Sequence, residues 1–135
     1  MFVYAGESVN FGRQMAEKTF CCTIEGLAAS QAFLEGFCDL PKPAIVMDEI
    51  ASNIVRCSGA NEFAVRLDWV PEGLQMVFSD GGVAFDPVKD SAEPDLTASA
   101  DERGIGGLGI FMVKKMTKSI CYERRDGKNV LTLVM

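Results

Sequence analysis

The stretch Arg103-Gly-Ile-Gly-Gly-Leu-Gly-Ile-Phe-Met-Val-Lys-Lys-Met116 places four glycines within six residues directly ahead of an apolar run that can form a helix. Glycine lets a backbone approach a ligand closely, and a helix start presents unpaired N–H groups at the positive end of its dipole. Together these features make an anion site of the kind used for phosphate. Gly104 to Gly109 also matches Gly-x-Gly-x-x-Gly, but that dinucleotide fingerprint needs a strand immediately before it. Here Ala98-Ser-Ala-Asp-Glu-Arg103 precedes it, which is no strand. The kinase glycine loop is excluded because its catalytic loop begins His-Arg-Asp and this chain has no histidine. The Walker pattern is absent. The phosphate reading therefore has to be decided by the rest of the chain.

The composition narrows it. The chain has 135 residues, 48% hydrophobic and 24% charged, as expected of one globular domain. A net charge of -6 argues against a general nucleic-acid or anionic-membrane binder. No apolar run is long enough to span a bilayer, and the first residues carry no basic leader. The five cysteines include no Cys-x-x-Cys pair, so reduced thiols in a cytoplasmic setting are expected. The absence of histidine removes His bases, His triads and His metal sites. Chemistry must run on carboxylates, amides, cations and metal.

Outward from the glycine run, the chain divides into alternating and helical segments. Residues 1–16 read as a flexible lead-in to a single domain over 17–135. Glu17 to Ile24 reads as a strand, and Leu27 to Cys38 as a helix that Asp39-Leu40-Pro41-Lys42-Pro43 ends. A second helix is expected from about Pro43 to Cys57, with Val46, Ile50 and Ile54 on its core stripe. Phe63 to Val70 and Gly73 to Ser79 form a hairpin around Pro71-Glu72. Residues 87–106 show no period and read as a lid, since a long loop in a compact domain is usually functional. Gly107 to Thr117 is the helix after the glycines. Ser119 to Arg125 and Lys128 to Met135 flank the hairpin signal Asp126-Gly127. Helices grouped between hairpins predict an α+β two-layer sandwich, with helices on one face of a mixed, mostly antiparallel sheet. Leu27, Phe33, Val46, Ile50, Phe78, Leu108 and Phe111 are expected in the core. Lys114 and Lys115 are expected on a solvated helix face.

Two further groups of residues carry chemistry. Glu49, Asn53 and Arg56 recur at helical spacing and share one face. Asn can hold a hard cation through its carbonyl oxygen, Arg can meet phosphate, and Glu can take a proton from a nucleophile. A solvated helix face is the competing reading of these three. Asp80-Gly81-Gly82-Val-Ala-Phe-Asp-Pro87 sets a carboxylate beside pliable backbone, where it can accept a hydrogen bond from an exocyclic amine. An ordinary Asp-Gly turn is the competing reading there.

In order and spacing the three pieces resemble the motifs of the Bergerat-fold ATP-binding domain shared by gyrase, MutL and sensor histidine kinases. The nearest likeness is the anti-sigma-factor serine/threonine-kinase branch. Asp48-Glu-Ile-Ala-Ser-Asn53 resembles that family's N box. Asp80-x-Gly82 with Phe85-Asp86-Pro87 resembles its first glycine box, and Gly106-Gly-Leu-Gly109 its second. The link from Asp39 to Pro43 is shorter than is usual in that family. The resemblance implies that Asn53 holds Mg2+, Asp80 reads adenine, Gly82 lets the base approach and Phe85 lies beside it. It implies that Gly104, Gly106, Gly107, Leu108 and Gly109 meet the phosphates of ATP, with Arg56 and Arg103 as the basic residues near them. Glu49 is then the base that activates a substrate hydroxyl. The implied partners are a small antagonist protein phosphorylated on Ser or Thr and a sigma factor, with a homodimer allowed and no direct nucleic acid or membrane. A non-catalytic ATP-binding regulatory module and a detached histidine-kinase-type ATPase domain are the alternatives.

Overall fold

The computed structural model describes residues 15–90 and 107–135. Residues 1–14 of the lead-in expected over 1–16, and most of the expected lid with Arg103, Gly104 and Gly106, lie outside the described residues; Met15 and Ala16 belong to the first strand instead. The order is β1 (Met15–Cys21), α1 (Ile24–Phe37), α2 (Pro41–Cys57), β2 (Glu62–Val70), β3 (Gly73–Asp80), α3 (Pro87–Asp90), α4 (Gly107–Met116), β4 (Ser119–Arg125) and β5 (Lys128–Val134). The sheet runs β1-β2-β3-β5-β4, and every pairing among these strands is antiparallel. The α+β sandwich expected from the sequence is the fold observed.

Local chemistry sets the boundaries. Thr23 caps α1, its hydroxyl accepting from the Gly26 N–H at 3.0 Å. Pro41 and Pro43 sit in the first turn of α2, where a missing N–H costs nothing. At the β4–β5 hairpin Asp126 and Gly127 both have positive φ, 53° and 75°, the backbone of a tight primed turn that follows the twist of the strands. This turn fixes the register of β5 and hence which of its side chains face inward.

The core lies between the helices and one face of the sheet. Val65, Leu67, Met76, Phe78 and Leu133 from the strands meet Leu34, Val46, Met47, Ile50 and Val113 from the helices. Each such side chain contributes roughly 1.5–3 kcal/mol when fully buried. Val46, Ile50 and Phe78 are core as expected, and Leu27 and Phe33 pack partly buried against it. Two assignments are corrected. The buried stripe of α1 is Gly26, Ser30 and Leu34, of which the first two are small and let the helix lie close. In α4 the buried positions are Ile110 and Val113, while Phe111 is half-buried with the Lys115 ammonium 5.3 Å from its ring centroid. The side chain of Leu108 lies outside the described ones.

Candidate nucleotide site

One row of residues crosses the sheet at the end next to the C-terminus of α2. Phe63 on β2 is paired with Asp80 on β3, Asp80 with Asn129 on β5, and Asn129 with Arg124 on β4. Inward-facing positions elsewhere in these strands are apolar. Here Asp80 and Asn129 are 7% and 8% exposed, so their polar atoms must find partners inside the protein. The Asn129 amide nitrogen donates to Asp80 Oδ1 at 3.1 Å and to the Val83 carbonyl at 2.8 Å. Its oxygen accepts from the Phe85 N–H at 3.2 Å, the Tyr122 hydroxyl at 2.5 Å and Arg124 Nη1 at 3.1 Å. Asp80 Oδ1 also accepts from the Gly82 N–H at 2.8 Å. No described residue donates to the other Asp80 oxygen.

The turn after β3 is pinned to the end of α2. The Val83 N–H donates to the Ser58 carbonyl at 2.9 Å, and Ser58 is the residue on which α2 closes. A Cβ at Gly82 would lie 2.7 Å from the Ser58 carbonyl carbon and closer still to its oxygen, so only glycine fits there. Cys22 lies partly buried against the core. Burial first, and the Asp80 carboxylate second, push its thiol above the ordinary pKa.

A cleft of about 450 Å³, counting the solvent at its mouth, opens over this row. From α2 it is lined by Ile50, Asn53, Ile54 and Cys57, and from β3 by Phe78 and Asp80. The following turn adds Val83, Phe85 and Pro87, and β4 and β5 add Tyr122, Asn129 and Leu131. Its character is that of an apolar slot with few placed polar groups. Of the residues singled out in the sequence, Asn53, Asp80 and Phe85 line the cleft. Gly82 shapes its floor without lining it, and Arg56 is exposed at the end of α2 outside the cleft.

Glu49 lies one turn before Asn53 on α2 and against the first turn of α4. A Cβ at Gly109 would lie 2.7 Å from Glu49 Cδ and closer still to Oε2. Gly107 and Leu108 open α4, which puts their backbone in the same turn. The side chains of Glu49, Asn53 and Arg56 form no hydrogen bond or ion pair with another described residue. Lys114 is not a freely solvated side chain. Its Nζ donates to the Val88 carbonyl at 2.7 Å, joining α4 to α3 across the two ends of the undescribed stretch.

Sequence reasoning missed Tyr122, Asn129, Arg124 and Ser58. Asn129 carried a signal, since it shares its alternation with the inward-facing Leu131 and Leu133. The others are brought in by strand register and by α2 closing on the β3 turn.

The arrangement fits an adenine nucleotide. A carboxylate oxygen that takes no donor among the described residues can accept from an exocyclic amine, and Phe85 and Tyr122 offer apolar surface to a base. Asn53 and Glu49 are oxygen donors suited to a hard cation, which takes few protein ligands when phosphates supply the rest. Among the described residues no cluster of three His, Cys, Asp or Glu side chains forms a metal cage. No helix among them is long and apolar enough to cross a membrane.

Comparison with known proteins agrees with this geometry. The family described as Histidine kinase-like ATPase domain matches residues 20–135. The chain is also 38% identical over 60 residues to the Serine/threonine-protein kinase BtrW of Bordetella bronchiseptica. That match spans 44% of this chain and 42% of the relative. An ATPase domain implies ATP binding, and the family match runs from the end of β1 to the last residue. The chain belongs to the histidine kinase-like ATPase domain family.

Proposed function

We propose that this protein is a Mg-ATP-dependent serine/threonine kinase that regulates transcription by partner switching. In this reading Asp80 accepts the adenine amine, and Asn53, which lines the cleft, would hold Mg2+. The first turn of α4, from Gly107 to Gly109, meets the phosphates, with Arg56 as a basic residue near them. Magnesium, when bound, neutralises phosphate charge. Glu49 takes the proton of a serine or threonine hydroxyl on a small antagonist protein. The hydroxyl oxygen bonds to the γ-phosphorus as the bond to the bridging oxygen breaks, and ADP leaves. Phosphorylation of the antagonist then decides whether the kinase holds a sigma factor.

The observation that carries this reading is the Asp80 carboxylate in the lining of the cleft, one oxygen of which takes no hydrogen bond from the described residues, with α2 leading from there to Glu49 and Gly109. The named activity of the relative, a serine/threonine-protein kinase, supports the choice of acceptor. Radiolabelled transfer from γ-labelled ATP to a serine-bearing antagonist domain tests it. Glu49→Ala is expected to cut transfer at least 100-fold, in line with the usual worth of a general base. Unchanged transfer would remove Glu49 from that role.

A further inference from the structure

Asn129 occupies an inward-facing position on β5, in phase with Leu131 and Leu133. A carboxamide among apolar side chains is costly unless its donors and acceptor all find partners. Here they do. Both N–H bonds are used, toward Asp80 Oδ1 and the Val83 carbonyl, and the oxygen accepts from Phe85 N–H, Tyr122 hydroxyl and Arg124. The opposite amide orientation would set the oxygen against a carboxylate and a carbonyl, so the network itself fixes which way the group points.

We propose that Asn129 is a positioning residue for base recognition. It holds one Asp80 oxygen in place, leaves the other without a donor among the described residues, and fastens the turn that carries Val83 and Phe85. The proposal rests on the reading of Asp80 as the acceptor of an adenine amine. Asp80 Oδ1 is held from two sides, by Gly82 N–H and by Asn129, so the carboxylate cannot turn without breaking both bonds. Asp80 and Asn129 are direct register partners on β3 and β5, which makes the distance between them a property of the sheet. The Tyr122 ring, which lines the cleft, is anchored by its hydroxyl to the same amide oxygen. One side chain thus sets the acceptor, the turn and an aromatic wall.

Selectivity is the quantity that separates positioning from plain structural support. Binding of ATP and of purine riboside triphosphate, which lacks the exocyclic amine, is measured by calorimetry on the full chain, with thermal unfolding as a check on folding. A hydrogen bond to a carboxylate gives the unmodified protein a preference for ATP of about tenfold or more. Asn129→Ala frees Asp80 and brings that preference to within about twofold of unity. Tyr122→Phe removes a single donor to Asn129 and lowers the preference by about two- to fivefold, which serves if Asn129→Ala does not fold. Asn129→Asp supplies a readout that a structural role would not move. Two facing carboxylates cannot both ionise freely, and one shared proton restores a donor toward Asp80. ATP affinity of this variant therefore rises several-fold between pH 8 and pH 5.5, and that of the unmodified protein does not. An unchanged preference in the folded variants, with no recovery at low pH in Asn129→Asp, would overturn the role of Asn129. An unmodified protein that binds no ATP at millimolar concentration would overturn the nucleotide reading as well.

Discussion

The Glu49 carboxylate lies over Gly109 so closely that a methyl group on the glycine would overlap it, with Glu49 Cδ 2.7 Å from the added Cβ. The side chain proposed to take the proton and the helix turn proposed to hold the phosphates are therefore in van der Waals contact.

Gly109→Ala separates the two roles. Alanine favours the helix by up to about 1 kcal/mol, so the melting temperature should hold or rise. Glu49 must swing aside, and displacement by about 1 Å costs on the order of 100-fold in a positioned reaction. Phosphotransfer assayed beside thermal unfolding checks this, and transfer at the unmodified rate would show that the contact is incidental.

Gly82 and Gly81 are adjacent, and only one is crowded. A Cβ on Gly82 meets the Ser58 backbone, which cannot rotate away, whereas nothing lies within 4 Å of one on Gly81. Gly82→Ala should destabilise the protein by roughly 1–3 kcal/mol, as overpacking does, and weaken ATP binding. Gly81→Ala should do neither. Urea unfolding and calorimetry on the pair check the contrast.

Cys57 lines the cleft, while Cys121 sits on β4 away from it, and both are exposed. Saturating ATP should slow alkylation of Cys57 at least several-fold and leave Cys121 unchanged, with the sites mapped by mass spectrometry. Equal protection of both, or of neither, would move the ligand away from this cleft.

The thiols of Cys22 and Cys38 are pushed up in the folded protein, chiefly by burial. Unfolded, they ionise near the ordinary value of about 8.5, so above it the unfolded chain has released protons that the folded chain keeps. Their contribution to stability is complete below about pH 8.5 and is lost as pH climbs through the folded values. Denaturant midpoints should fall from pH 8 to pH 10, and Cys22→Ser with Cys38→Ala should flatten that fall.

Much of the fold was legible because its signals are local. The alternation of Phe63, Val65 and Leu67, the prolines before α2 and the Asp126-Gly127 turn each act within a few residues. Helix α1 was harder, because Gly26 and Ser30 form its buried stripe where larger apolar residues were expected. In the cleft, Asn53, Asp80 and Phe85 could be found from motif spacing. Tyr122 and Ser58 could not, since strand pairing and the close of α2 on Gly82 bring them there. Lys114 was misread because its acceptor, the Val88 carbonyl, lies 26 residues away.

The central claim is that Asp80 reads the base of ATP from the floor of this cleft. Calorimetric titration of Mg-ATP into the unmodified protein and into Asp80→Asn tests it most directly. The account predicts saturable binding by the unmodified protein and a loss of at least tenfold in affinity for Asp80→Asn, with the fold retained. Equal affinity in the two proteins would contradict it.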